Sequence, residues 1–278
     1  MLMNFYKELE LIIEAKSPKE KISLFEKFYE AFLRKQLNFS SLDDAKVFDE
    51  PSYASFCTII APQDVPKRKN LTQREGQINL IHAIAHIEYS AIDLALDAAY
   101  RFRDMPQAYY KDWLLVANDE VRHFKMLEAL LEQLQASYGD VPVHNALFEA
   151  LQRTQTLVER MAVVPRYLEA NGLDATPLIL EKLRKLPQSQ SENSMVAEIV
   201  SALEVILHEE VEHVKKGDIW FRFACDVEGL EYESSYFKVI EKFYPQGFLR
   251  PRSVNLEARK EAGFSCSELE FMAKKQLC

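Results

Sequence analysis

Asn118-Asp119-Glu120-Val121-Arg122-His123 and His208-Glu209-Glu210-Val211-Glu212-His213 are the two stretches whose reading decides how this chain folds. Each holds a Glu-x-x-His pair, Glu120/His123 and Glu210/His213. Residues three apart on an α-helix share one face, with Cβ atoms about 5–6 Å apart, so such a pair can ligate one metal ion. A lone pair of this kind is weak, because both residue types are common on helix surfaces as ion pairs. The faces they occupy make the difference. Trp113, Val116, Ala117, Phe124, Leu127 and Leu131 form an apolar stripe with Glu120 in its middle. Leu203, Ile206, Leu207, Val214, Gly217 and Phe221 do the same for Glu210. Both glutamates interrupt positions where a core residue is expected.

Working outward, Glu88 is centred on a third inward stripe of Ile81, Ile84, Ala85, Ile92 and Ala95. Glu159 lies beside Val158, Met161, Ala162 and Val163 and is taken as the fourth carboxylate, with Glu149 and Glu169 as competitors. An ionised glutamate facing inward must have partners, since burying it alone is costly. Four glutamates carry four negative charges, which two divalent cations balance, and two neutral imidazoles complete the set. The expected metal ligands are therefore Glu88, Glu120, His123, Glu159, Glu210 and His213. Carboxylate-rich, histidine-poor ligation suits iron, with manganese also acceptable.

Other polar residues flank these stripes. His86, Asp119, Arg122 and Arg166 are candidates for hydrogen bonds that orient the ligands. His86 lies well around its helix from Glu88, and with His82 and Asp93 it reads as a structural or supporting group. His144 reads as a cap or packing residue.

The fold class that follows is all-α. Helices are expected over residues 3–15 and 18–36, with Ser17 as N-cap and Pro18 in the first helical position. Residues 37–70, with Pro51, Pro62 and Pro66, read as an irregular wrap that packs on the bundle or frames a site. Thr72-Gln-Arg-Glu75 reads as a capping box opening a long helix to about 102. Further long helices are expected at 106–138, 145–171 (stopped by Gly172) and 195–228. A shorter helix is placed at 174–186, a polar loop at 188–194, and additional helices at 233–243 and 266–276. The domain reading is an N-terminal arm and wrap at 1–70, a four-helix bundle at 71–229, and a C-terminal helix and tail at 230–278.

Composition agrees. Only 7 glycines in 278 residues disfavours all-β folds and doubly wound sheets, which need many tight turns. A net charge of −9 argues against a general nucleic-acid binder. Lys67-Arg68-Lys69, Lys182/Arg184/Lys185 and Arg250, Arg252, Arg259 and Lys260 are local basic groups, read as solvated surface. The four cysteines, Cys57, Cys225, Cys266 and Cys278, form no C-x-x-C and offer no disulfide framework. With no signal peptide or membrane-spanning run, a reduced cytoplasmic protein is expected.

His82-Ala-Ile-Ala-His-Ile-Glu88 with Ala91-Ile-Asp-Leu-Ala-Leu-Asp97, Val163-Val-Pro-Arg166, the two Glu-x-x-His stretches, and Asn255-Leu-Glu-Ala-Arg-Lys-Glu-Ala-Gly-Phe264 together carry a resemblance. Over about residues 40–264 the chain resembles an uncharacterised bacterial family of ferritin-like proteins, a domain of unknown function. The resemblance implies a ferritin-like four-helix bundle with additional terminal helices and the di-metal carboxylate ligands named above. It does not supply a reaction. The helical ligand plan is distantly similar to the di-iron hydroxylase of a prenylated tRNA adenosine. Ribonucleotide reductase fits poorly, because Leu127 stands where its tyrosine would be. Rubrerythrin-type peroxidases fit poorly for want of a cysteine-ligated module, and storage ferritins lack the second His. The expected function is a di-iron or di-manganese oxidoreductase using O₂ or peroxide on an unknown small molecule. The alternatives are a non-catalytic metal-stabilised scaffold and a tRNA-modifying hydroxylase. No membrane partner is expected, tRNA is the one nucleic acid considered, and a homo-oligomer stays open.

Overall fold

A computed structural model describes residues 2–40, 44–186, 193–250 and 252–278. The protein is an all-α helical bundle with flanking helices at both ends, as the apolar periodicity predicts. The chain divides into two compact units, Met1–Gln152 and Arg153–Cys278.

In the first unit α1 (Phe5–Ile13) and α2 (Pro18–Leu33) form the N-terminal arm. Ser17 Oγ accepts from Glu20 N–H and Pro18 opens α2, so that helix start is legible in sequence. Two-residue strands β1 (Met3–Asn4) and β2 (Leu37–Asn38) pair in parallel, Met3 with Leu37 and Asn4 with Asn38. The core of the unit is the hairpin of α3 (Arg74–Arg101) and α4 (Gln107–Gln133), whose facing sides are almost wholly buried. The capping box expected at Thr72 does not form. Gln73 is the N-cap of α3, without a side-chain bond. Arg74 instead reaches across the hairpin and donates to Leu134 O at 2.7 Å and Gln135 O at 3.1 Å, capping the carbonyl end of α4.

Within the described residues 44–70, the chain bonds to other segments of the same unit. Ser52 Oγ donates to Asp93 Oδ2 at 2.7 Å, and Tyr53 OH donates to Asn145 Oδ1 at 3.0 Å. Lys21, fully buried, points its ammonium at Asp93 and at the carbonyls of Ile12 and Ile13. That cation satisfies both the acid in α3 and the orphan carbonyls closing α1.

The helix expected over 145–171 is interrupted. The chain forms α5 (Ala146–Arg153), breaks at Thr154–Thr156, and restarts as α6 (Leu157–Val163). The break is stabilised by Thr156, whose hydroxyl caps α6, and by buried Arg160, which donates to Thr154 Oγ1 at 2.7 Å and Thr154 O at 3.1 Å. From α6 the second unit continues without a stop through a π-turn (Val164–Glu169) into α7 (Ala170–Arg184). Pro165 accounts for the turn. It has no N–H for the α-helical ladder, and the wider π spacing accommodates its ring. Gly172 therefore lies inside a helix and does not end one.

Helix α8 (Asn193–Glu228) runs for 36 residues and ends at Gly229, whose φ of +67° is the left-handed stop expected there. The polar loop read at 188–194 lies mostly outside the described residues. Gly217 lets α8 approach the π-turn closely: a Cβ there would stand 2.3 Å from Pro165 Cβ. Helices α9 (Tyr232–Phe243), α10 (Leu256–Glu261) and α11 (Cys266–Ala273) complete the unit. Arg259 is buried and holds Asp174 at 2.7 Å, while also donating to Ala170 O at 3.0 Å. Arg252 donates to Asn171 Oδ1 and Tyr167 OH. These two arginines are internal braces of the tail and not the solvated charges expected.

The cysteine reading is also corrected. Cys266 and Cys278 form a disulfide. After α11, Lys274 adopts φ +51° and reverses the chain, and Glu270 Oε1 accepts from the amides of Leu277 and Cys278, which brings the last residue back to Cys266. Cys57 and Cys225 are buried free thiols.

Candidate metal centre

Glu88 comes from α3, and Glu120 and His123 from α4. All three are buried, Glu120 and His123 at 0% exposure. The hairpin places His123 Nδ1 3.1 Å from Glu88 Oε2 and 3.2 Å from Glu120 Oε2. One ligand atom from each residue lies within 4.8 Å of the others, a spacing that can hold a metal ion. Burial pushes the His123 imidazole toward neutrality. The carboxylates of Glu120 and Glu88 outweigh it and raise its pKa to about 11. His123 Nδ1 is thus the point on which both carboxylates converge.

In the second unit α8 carries the other pair. His213 Nδ1 lies 3.3 Å from Glu210 Oε1, with His213 buried and Glu210 partly so. Two turns further on, Arg166 of the π-turn is clamped against α8 and α11. Its Nε lies 2.8 Å from Asp218 Oδ1, and its Nη2 lies 2.9 Å from Glu268 Oε1. Its guanidinium also lies 4.9, 4.3 and 4.7 Å from the ring centroids of Phe221, Tyr236 and Phe264. Arg222 shares Asp218 at 2.7 Å. Such a buried, doubly paired cation holds one helical register firmly, and here it fixes the segment of α8 that follows Glu210 and His213. Asp218 and Glu268 escaped the sequence reading. Ser265-x-x-Glu268 is a capping box that was there to be found, and it does form.

The remaining candidates lie as follows. Glu159 is the third residue of α6, where its Oε2 accepts from Gln155 and Thr156 amides at 3.0 and 3.3 Å. Its Oε1 accepts from Lys242 at 2.6 Å. Its acidity is set by burial, which raises the pKa, against Lys242 and the two amides, which lower it further. Glu169 closes the π-turn with its Oε2 buried, while Glu149 is exposed. His86 donates from Nε2 to His144 O at 2.8 Å, so its Nδ1 accepts from Tyr138 OH at 2.9 Å. Asp119 and Arg122 pair with each other at 3.1 Å on a partly exposed face.

Helices that enclose a buried Glu–Glu–His triad, with a second Glu-x-x-His on another helix, define a metal-binding carboxylate protein of the helical-bundle class. The chain belongs to the family described as "Protein of unknown function (DUF455)", whose model matches residues 14–270. It is 35% identical over 284 aligned positions to an uncharacterized protein of Haemophilus influenzae, an alignment covering 98% of this chain and 94% of the relative. No solved structure matches it. Among the described residues, no helix is long and apolar enough to cross a membrane.

Proposed function

We propose that the two Glu-x-x-His pairs serve one ferritin-like di-metal carboxylate centre, and that the protein is an oxidoreductase acting with O₂ or peroxide on a small molecule. The observation that carries this reading is the buried triad: Glu88, Glu120 and His123 bring one ligand atom each within 4.8 Å of the others, a donor set that would fit a divalent cation. In this reading Glu88, Glu120 and His123 of the first unit and Glu210 and His213 of the second would hold the metal. When bound, iron or manganese would supply the redox electrons that none of these side chains can provide.

The sixth ligand is better assigned to Glu169 than to Glu159. Both oxygens of Glu159 already serve the α6 cap and Lys242. Glu169 ends a π-turn, a distortion that recurs at functional sites because it re-aims side chains. The chain's own groups then have plain tasks. His123 would serve a bound cation as a neutral imidazole. The apolar residues around Glu120 keep water from competing for the carboxylates. Arg166 holds α8 in register.

Anaerobic loading with ferrous or manganous ion, followed by metal counting, tests the centre. About two ions per chain are expected, falling below about one in Glu120→Ala. Consumption of O₂ or peroxide by the loaded protein separates an enzyme from a metal-stabilised scaffold, which would show only a higher melting temperature. The tRNA-hydroxylase reading draws no support from Arg252 and Arg259, since both are spent inside the tail.

A further inference from the structure

Beside the α3–α4 hairpin, the first unit contains a small cavity that the proposed metal centre does not use. Arg68, Asn79, His82 and His144 line it, with apolar walls that include Pro66 and Val143. His82 is 1% exposed. Its Nε2 accepts from the amides of Gly139 at 2.8 Å and Val141 at 3.4 Å, so the ring proton sits on Nδ1. That buried Nδ1–H has no hydrogen-bond partner in the protein. A donor so placed costs free energy unless a ligand or water accepts from it.

The charge that lines the cavity is positive, while Asp140 and Glu149 act on His82 and His144 from outside the lining. Arg68 makes no ion pair among the described residues, and no carboxylate lines the cavity. Asp140, which flanks His82, accepts from Ser137 N–H at 2.7 Å. His144 Nδ1 faces the Ala146 amide at 3.4 Å as acceptor, leaving Nε2 as its donor. The ring groups on offer are therefore donors beside one cation, and the Asn79 amide can present its NH2 to the same ligand. The enclosed volume is about 20 Å³, room for one water-sized group.

We infer that this cavity is an oxyanion site, taking one oxygen of a phosphate or carboxylate group onto His82 Nδ1–H while Arg68 meets the rest of the anion at the mouth. Burial pushes the His82 imidazole down to about 4, which keeps the ring neutral and its single donor fixed at ordinary pH. The inference stands apart from the di-metal reading, since none of its residues is a proposed ligand.

The test uses the full chain, metal-free, titrated separately with inorganic phosphate and with acetate at constant ionic strength. The readouts are the His82 ring signals by NMR and the melting temperature. Saturable shifts with phosphate alone identify a phosphate-type ligand, and with acetate alone a carboxylate. Arg68→Met, at an exposed position that leaves the fold intact, should weaken binding by about tenfold or more through loss of a charge-assisted contact. His82→Phe should abolish it, with circular dichroism confirming the fold. Glu120→Ala should bind the anion as the parent does, so failure of the metal reading would not touch this one. If neither anion gives saturable shifts, or Arg68→Met binds as tightly as the parent, the cavity holds water only and the inference is overturned.

Discussion

His123 Nδ1 lies 3.1 Å from Glu88 Oε2, joining α4 to α3 through two side chains buried in the hairpin core. The same imidazole nitrogen faces Glu120 at 3.2 Å. Because three ligand atoms meet there, Glu88→Gln should remove charge while keeping shape. Manganese affinity, measured by calorimetry, should fall by at least about 100-fold, more than is usual for a group that only supports a ligand. An unchanged affinity would remove Glu88 from the centre.

Glu159 and Glu169 separate by the same kind of measurement. Glu159→Gln should leave metal stoichiometry intact and cost about 0.5–2 kcal/mol, the usual worth of a helix cap. Glu169→Gln should lower the stoichiometry with less effect on the melting of the metal-free protein. The opposite pattern would restore Glu159 as the ligand.

Arg166 is buried between two acids, so Arg166→Leu should destabilise by about 3–5 kcal/mol, leaving Glu268 without its cation and Asp218 with Arg222 alone. Adding Glu268→Gln should recover part of that loss, a coupling that chemical denaturation of the single and double variants would reveal. Additive losses would mean that the clamp is not a unit.

Gly217→Val should be among the most disruptive single changes in α8, because its Cβ would collide with Pro165. A loss of about 1–3 kcal/mol or more is expected by thermal denaturation, as for other overpacked contacts. Gly172→Ala meets nothing within 4 Å of the added Cβ and should be neutral or stabilising.

Acid should unfold the protein partly through His82. Burial lowers its pKa to about 4, against about 6.5 unfolded. The unfolded chain thus takes up the proton first. The neutral ring's contribution is fully present above pH about 6.5, is lost as pH falls, and is gone below about 4; linkage puts it at roughly 3 kcal/mol. Stability measured from pH 7 to 4 should fall less steeply in His82→Gln. Equal slopes would show that other groups carry the acid sensitivity.

Much of this was legible in the chain. Glu88, Glu120 and Glu210 each interrupt an apolar stripe of period 3.6, and that pattern locates inward carboxylates without coordinates. Ser17-Pro18 announced the start of α2 by local chemistry alone. What escaped depended on non-local partners. The 145–171 stretch reads as one helix, yet Arg160 and Thr156 stabilise a break, and Pro165 is absorbed by a π-turn that shifts the register of every later side chain. Glu159, before that shift, is held by the α6 cap and Lys242, and Glu169 ends it.

The sequence by itself determined that the protein is all-α and that acids and histidines sit three residues apart on core-facing stripes, because helical periodicity is a property of the local chain. The tertiary structure decided which charges are spent internally. Lys21 is consumed by Asp93, Arg166 by Asp218 and Glu268, and Arg259 by Asp174. It also decided that Cys266 and Cys278 meet. Such pairings rest on distance between segments remote in the chain, and no local pattern encodes that distance. Glu120/His123 and Glu210/His213, the residues that announced the fold, are where the two levels agree: periodicity turns them inward, and packing buries both histidines with Glu120 and leaves Glu210 only partly exposed.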